Sequence, residues 1–397
     1  MTDQVRQIAF TYSRLETVIQ GGNAVTSLLE QVNSTGCQRV FLLASRTLLN
    51  NSGIVDQIDA ALGGRLADVF ANIPAHTPRP AVLEAIGRAR SCDADLLVTV
   101  GGGSVIDAAK AVQLALQQKL ESEQQLLDYA QFADGSRGSK AGDFTLFTEP
   151  SKLRQIAIPT TLSGAEFSNN AGVTDPVKSL KEGYRGPDLY PKTIIYDPAL
   201  SCRTPDWLWL STAIRSLDHA IEGYCSQDAH AYLEGHFLQA MRLFASSLPA
   251  SCKDPENLAA RSLAQQAVWL ACCGLGQVRH GASHGIGYIL GAVCGVPHGY
   301  TSCVMLPAVL QWNSEVNGDR QRVITEALGE NTSSAGAAVR TLVSALGLPQ
   351  TLQDVGVTRD QLPQIARLAS QHPVVQRNPR VISGAEDVLE ILELAWS

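Results

Sequence analysis

An α/β N-terminal domain built on a parallel sheet, followed by an all-helical C-terminal domain, is the fold class that this 397-residue sequence predicts. Three observations carry it. The first half alternates short β-type runs with helical patterns. Three consecutive glycines, Gly101, Gly102 and Gly103, join the end of an apolar run to the start of an amphipathic stretch. Beyond Pro205 the chain turns to long Ala- and Leu-rich helical stretches with few β-branched runs. The boundary is therefore placed near residue 200, giving domains 1–200 and 201–397.

The elements follow in order. RVFLLAS (39–45), LADVFANI (66–73) and DLLVTV (95–100) read as strands, and GIVDQIDAALGG and AVLEAIGRAR between them read as helices, a βαβαβ succession. After Gly103 the apolar residues Val105, Ala109, Val112 and Leu116 fall at helical spacing. Polar, glycine-bearing sequence from Glu121 to Ser151 reads as a surface insertion. QIAIPTT (155–161) and KTIIYD (192–197) are two further strands.

Composition excludes several classes. With 45% hydrophobic and 17% charged residues the chain has no disordered bias, and no apolar run approaches the roughly 18 residues that span a bilayer. No membrane partner is expected. The opening MTDQVRQIAF lacks the basic end and apolar core of a secretory signal, so cytoplasmic residence is the expectation. Nine scattered cysteines without a CxxC fit reduced, buried thiols. A net charge of −7 with no basic cluster offers no footprint for nucleic acid.

The glycine turn is the first chemical signal. Glycine removes the β-carbon and permits positive φ, so backbone N–H groups can press against a ligand. At a helix start those groups are unpaired and the dipole is positive, which suits phosphate. Ser104 is placed to cap the helix or to donate to the same oxygens. The turn also reads as nothing more than a tight strand-to-helix connection, and it is not the GxGxxG fingerprint. PTTLSGAEFSNNAGVTD (159–175) favours the nucleotide reading, because it follows another strand with small hydroxyl residues and a glycine.

Histidines are the second signal. Three of the eight lie in RHGASHGIGYILGAVCGVPHGYTSC and a fourth in STAIRSLDHAIEGYCS. By spacing alone His280 and His284 are one helical turn apart, a common metal-ligand geometry. A lone histidine is ordinarily structural. Four in two apolar, glycine-rich segments point to a catalytic or metal pocket.

Taken in order, GGGSVIDAAKA, PTTLSGAEFSNNAGVTD, KTIIYDPAL, LDHAIEGYCS, SHGIGYILGAVCGVPHG and NPRVISGAEDVLEIL resemble the iron-containing (group III) alcohol dehydrogenases, including their maleylacetate reductase branch. The resemblance covers nearly the whole chain. It implies the dehydroquinate synthase-like fold of that family, with NAD(P)H meeting substrate in a cleft between an α/β domain and a helical one. It also implies a homodimer built partly by the N-terminal strand around IAFTYSRLETVIQGG.

Carried over by position, Gly101, Gly102, Gly103 and Ser104 resemble the pyrophosphate loop, with Asp107 and Lys110 on the helix it opens. Thr160, Thr161, Leu162 and Ser163 resemble the second cofactor loop, and Lys181 a lysine that reaches the nucleotide. Where NAD-linked relatives carry an acidic residue for the adenosine ribose, this chain reads Ala44-Ser45-Arg46. Without that carboxylate a 2′-phosphate is not repelled, and Arg46 can attract it. Use of NADPH or of both cofactors follows.

The metal site departs from the family pattern. Metal-dependent members bind Fe2+ or Zn2+ with an aspartate and three histidines; His219, His284 and His298 occupy the histidine positions and Arg215 the aspartate position. A guanidinium cannot ligate a cation and its charge opposes one. Asp218, beside His219 in sequence, is expected to point about 100° away from it on a helix. Tyr288 stands where a further histidine is common. Maleylacetate reductases resemble this departure and need no metal, so the expectation is a metal-free site. Arg215 there anchors or polarises an oxo acid.

The chemistry implied is hydride transfer between NAD(P)H and a small carbonyl substrate. In its metal-free form His219, His284, His298 and Arg215 supply positive charge and hydrogen bonds, with one histidine or Tyr288 as proton donor. His280 is placed on the substrate side or as a structural residue, and Arg185 in GYRGPDLYP (183–191) as a carboxylate contact or a solvated arginine. The alternatives are a metal-dependent alcohol dehydrogenase or aldehyde reductase on three histidines, a dehydroquinate synthase-like lyase, and a nucleotide-binding protein with a decayed site.

Overall fold

The computed structural model describes residues 7–132, 135–178, 180–329 and 334–396. Residues 1–6, which open the stretch read as lacking a secretory signal, and 133–134, inside the expected insertion, lie outside the described residues. Its strands are β1 (Thr17–Gln20), β2 (Val40–Ala44), β3 (Leu66–Phe70), β4 (Leu96–Gly101), β5 (Ala130–Phe132), β6 (Arg154–Pro159), β7 (Asn170–Asp175), β8 (Leu180–Arg185) and β9 (Thr193–Tyr196).

Six of them form one parallel sheet in the order β1-β9-β6-β4-β2-β3. All five strands read from the sequence are in it. Their runs are largely apolar because both faces are covered in β2, β4, β6 and β9; the edge strand β3, with Asp68, is less buried. Along β2, Phe41 and Leu43 enter one core with Leu97 and the Gly103–Gln117 helix, whereas Val40, Leu42 and Ala44 enter another with Val98, Val100 and Ile158. Connections leave β2 and β4 toward opposite sides of the sheet, the switch point at which open α/β sheets bind ligands.

The expected insertion is in part structural. Its β5 pairs antiparallel with β8, and β8 with β7, in a second, three-stranded sheet. Arg79 ties this sheet down through ion pairs with Asp175, Glu182 and Glu123.

Packing divides the chain into two compact units. One holds Arg14–Ser216 and Ser246–Trp269; the other holds Leu217–Ala245, Leu270–Ser397 and the residues leading to Ser13. The division falls inside the helix Asp206–Cys225, later than the compositional change near residue 200. The reason is local bonding. Leu162 donates its N–H to Thr212 Oγ1 at 3.0 Å and accepts from the Ser216 hydroxyl, so this part of the helix packs with the first unit. Arg261 and Ser251 in the returning segment bond Ser201 O and Trp209 Nε1.

The second unit is helical. Its core gathers Ile286, Leu290, Val304, Met305, Trp312, Ile365 and Leu392 around the helices Ala282–Cys294 and His298–Ala327. Among the described residues no helix is long and apolar enough to cross a membrane.

Two glycines give opposite expectations. A β-carbon on Gly285 would lie 2.4 Å from Val375 Cγ2 and 2.9 Å from its backbone nitrogen, whereas one on Gly87 meets nothing within 4 Å. Gly285→Ala should lower stability by roughly 1–3 kcal/mol, and Gly87→Ala should raise it by about 0.5–1 kcal/mol. Denaturant melts of both variants check the pair.

Candidate functional site

The sheet register gathers the expected cofactor residues in the first unit. Ala44 pairs with Val100 and Gly101 with Pro159, so β2, β4 and β6 end side by side. Ser45 donates its N–H to Val100 O at 2.9 Å, and Thr160 to Gly101 O at 3.0 Å. The segments Ser45-Arg46, Gly101–Ser104 and Thr160–Ser163 thus leave the same sheet edge.

The glycines are needed first for packing between these loops. A β-carbon on Gly102 would stand 3.0 Å from Thr161 Cγ2, and one on Gly103 3.0 Å from Ser163 Oγ. Only bare backbone lets the second loop lie this close, and the helix Gly103–Gln117 then starts at Gly102 with no side-chain cap. An uncapped start of a 15-residue helix fits a phosphate group. Ser104 does not cap it. Its oxygen accepts the His76 N–H at 3.1 Å, which leaves the hydroxyl proton to donate.

Lys110 and Asp107 act inside the protein. The Lys110 ammonium, fully buried, donates to Ala165 O at 2.7 Å, Asn170 O at 3.0 Å and Asp107 Oδ1 at 3.0 Å. Asp107 Oδ2 accepts from the Gly172 N–H at 3.0 Å. Lys181 lies close by, its ammonium held below the usual lysine range by burial, with Asp107 opposing the shift. Burial and the Lys181 charge lower His76 likewise. Leu162 is fully buried, so only its backbone borders the loop. Arg46 is exposed and bonds the Asn72 side chain beyond β3. Arg185 is also exposed, with Nε 3.4 Å from Asn170 Oδ1.

In the second unit three histidines converge. His284 Nε2 lies 2.7 Å and His280 Nε2 3.3 Å from His219 Nδ1. Ligand atoms of His219, His280 and His284 all fall within 4.8 Å of one another. The sequence grouped His298 with His219 and His284. Among the described residues the structure groups His280 instead: it lies just before the helix Ala282–Cys294, not within it, and its ring stacks on that of His284 with centroids 4.3 Å apart. His298 opens its own helix beside Gly291 and Tyr288, 6.3 Å from the Tyr288 ring. Tyr288 is 40% exposed and also faces His372.

Two acids surround His284. Glu222 Oε2 lies 2.7 Å and Asp218 Oδ1 3.5 Å from its Nδ1. Asp218 therefore reaches the cluster at His284, held by the hydroxyls of Ser283 and Ser302 at 2.7 Å each. Glu222 was not singled out from sequence. Its signal was the i,i+3 spacing from His219, which puts both on one helix face. Arg215, 8% exposed, precedes His219 by one turn of the same helix.

By donor chemistry the three imidazoles fit a borderline divalent ion such as zinc or iron(II). The residue one turn before His219 is a guanidinium, which adds charge of the wrong sign for that ion.

Comparison with known proteins is consistent across the chain. Residues 16–198 match the model for iron-containing alcohol dehydrogenase, and residues 209–396 that for the C-terminal part of the Fe-containing alcohol dehydrogenase family. Dehydrogenase FUM7 of Gibberella moniliformis is 31% identical over 389 residues, 90% of each chain. Maleylacetate reductase 1 of Rhodococcus opacus is 28% identical, covering all of this chain and 98% of its own. A 1,3-propanediol oxidoreductase crystal structure superposes with a TM-score of 0.85 at 26% identity, over 98% of this chain and 100% of that one.

Glu166 gives the second loop a pH signature. Its fully buried carboxyl, bonded by the Tyr196 hydroxyl at 2.5 Å, is pushed up to about 7 by burial, against the opposing pull of that bond. The folded state keeps a proton that the unfolded chain releases near 4.5, so stability falls as pH rises from about 4.5 through 7 and then levels. Glu166→Gln should abolish this slope. Urea melts at pH 5 and pH 8 should show the variant gaining up to about 3 kcal/mol relative to wild type across that interval.

Proposed function

Since the chain belongs to the iron-containing alcohol dehydrogenase family, we propose that it is an NAD(P)H-dependent reductase of a small carbonyl substrate, an oxo acid of the maleylacetate type. The observation that carries this reading is Arg215. It is buried and stands one turn before His219, at the position where the family resemblance implies an aspartate in metal-dependent members. A guanidinium pairs with a carboxylate through two parallel hydrogen bonds, so an oxo acid suits it as an alcohol does not.

The loops of the first unit bind and orient the cofactor. Gly102, Gly103 and Ser104 present N–H groups and a hydroxyl to its pyrophosphate, and Lys181 adds a cation. Thr160, Thr161 and Ser163 line the second side. Arg46, with Asn72, takes the adenosine 2′-phosphate, which makes NADPH the favoured form. When bound, the dihydronicotinamide supplies the hydride.

The second unit handles the carbonyl oxygen. His219, His280 and His298 offer donors to the alkoxide as charge develops, His284 braces His219 through its Nε2, and Tyr288 offers a phenolic proton. Arg215, near the end of the first unit, holds the substrate carboxylate.

A second reading rests on the convergent imidazoles. In a metal-dependent alcohol dehydrogenase His219 and His284, with His298 or His280, would hold iron or zinc, which supplies a Lewis acid. A homodimer is expected in either case.

Metal analysis of protein produced with iron and zinc present separates the readings. The proposed reading expects NADPH oxidation with oxo acids by protein lacking stoichiometric metal; near-stoichiometric iron or zinc overturns it. Arg215→Ala should lower kcat/KM for the oxo acid roughly 10²-fold while leaving cofactor affinity unchanged. Arg46→Asp should shift preference from NADPH to NADH by at least about tenfold, the scale of one charged contact, read from KM for each cofactor.

A further inference from the structure

The helix that carries His284 begins without a cap of its own. Its N-cap residue is Gly281, which has no side chain, and the start is buried. Four N–H groups at such a start need acceptors. All four find them on two side chains from distant segments. Glu222 Oε2 accepts from Gly281 N at 2.9 Å and from His284 N at 3.3 Å, and Oε1 accepts from Ser283 N at 2.8 Å. Asn378 Oδ1 accepts from Ala282 N at 3.3 Å.

The same Glu222 oxygen lies 2.7 Å from His284 Nδ1. A carboxylate only accepts, so the hydrogen of this contact sits on Nδ1 of the imidazole. A neutral ring carries one such hydrogen. Nε2 is then a lone pair, and it is the atom turned toward His219 at 2.7 Å, in the cluster completed by His280.

We infer that Glu222 is a positioning residue, whose carboxylate fixes His284 in the Nδ1–H tautomer and, together with Asn378, anchors the backbone that presents its Nε2 lone pair to the histidine cluster. This rests on reading that cluster as the reaction centre. It also gives the segment Asn378-Pro379-Arg380 a purpose. Asn378 pairs reciprocally with Asn313, at 2.7 and 3.1 Å, and Arg380 donates to Trp312 O at 2.7 Å while lying over the Trp312 ring, so the cap is fastened to the long helix beside it. There is no slack at Gly281. A β-carbon there would lie 3.0 Å from Asn378 Oδ1 and 3.2 Å from Glu222 Oε1.

Long-range proton–nitrogen spectra of the full chain, labelled with 15N in its imidazole rings, test this with and without added Zn2+. The His284 ring is identified by its loss in His284→Gln. The expected result is a His284 ring protonated at Nδ1 in wild type, converting wholly or partly to the Nε2–H form in Glu222→Gln and unchanged in Asn378→Ala. In turnover, Glu222→Gln should lose about 10- to 100-fold in kcat, the range for outer partners of a site histidine, with KM for NADPH unchanged.

A wild-type His284 protonated at Nε2, or a His284 signal untouched by Glu222→Gln, overturns the inference. If Glu222→Gln does not fold, the wild-type spectrum still decides the tautomer. If no carbonyl compound is reduced, the proposed reaction fails while the spectra continue to judge Glu222.

Discussion

The buried ammonium of Lys110 ties the helix after β4 to the segment after β6. A charge removed from water is tolerated only when its donors are satisfied, and Lys110 meets this by binding Ala165 O, Asn170 O and Asp107. These bonds join the helix that opens at the glycine turn to both ends of the segment after Ser163. The close contacts Gly102–Thr161 and Gly103–Ser163 follow from that attachment. The glycines therefore serve two distances at once: they admit the second loop on one side and leave the helix start uncapped on the other.

The helical unit uses the same device with the sign reversed. There a buried carboxylate, Glu222, collects backbone N–H groups at a helix start as Lys110 collects carbonyl oxygens. In each unit one buried charge gathers backbone groups, and in the helical unit it does so at a helix start in place of a local cap. A capping serine would serve the N–H groups alone, whereas Glu222 also orients an imidazole. Position and chemistry are thereby coupled through one side chain.

Arg215 is the residue on which the proposed reading turns. Ser216, beside it, is bound to the loop backbone at Leu162, and His219 follows one turn later on the same helix. On the proposed reading, a guanidinium there is a donor to anions where a carboxylate would be an acceptor of cations.

Much of the fold was legible in the residues. Strands 2, 4, 6 and 9 announce themselves as largely apolar runs because a doubly covered parallel sheet makes both faces hydrophobic, and the edge strand β3 does so less fully. The glycine turn and the switch to helix beyond residue 200 are local signals of the same kind. β5, β7 and β8 were less legible, since a small mixed-polarity sheet held by Arg79 and three acids carries no apolar run. Of the candidate site, ordered motifs pointed to the loops, His219, His284 and the departure at Arg215. Tertiary structure alone decided that Lys110 turns inward, that Ser104 takes His76 rather than its own helix, and that His280 joins His219 and His284 while His298 stands by Tyr288. It alone disclosed Glu222 and Asn378 as joint caps of a helix 59 and 96 residues away along the chain. The physical reason is range. Periodicity and turn chemistry act between neighbours in sequence, whereas a buried charge chooses its partners by who lies within 3 Å after the chain has folded.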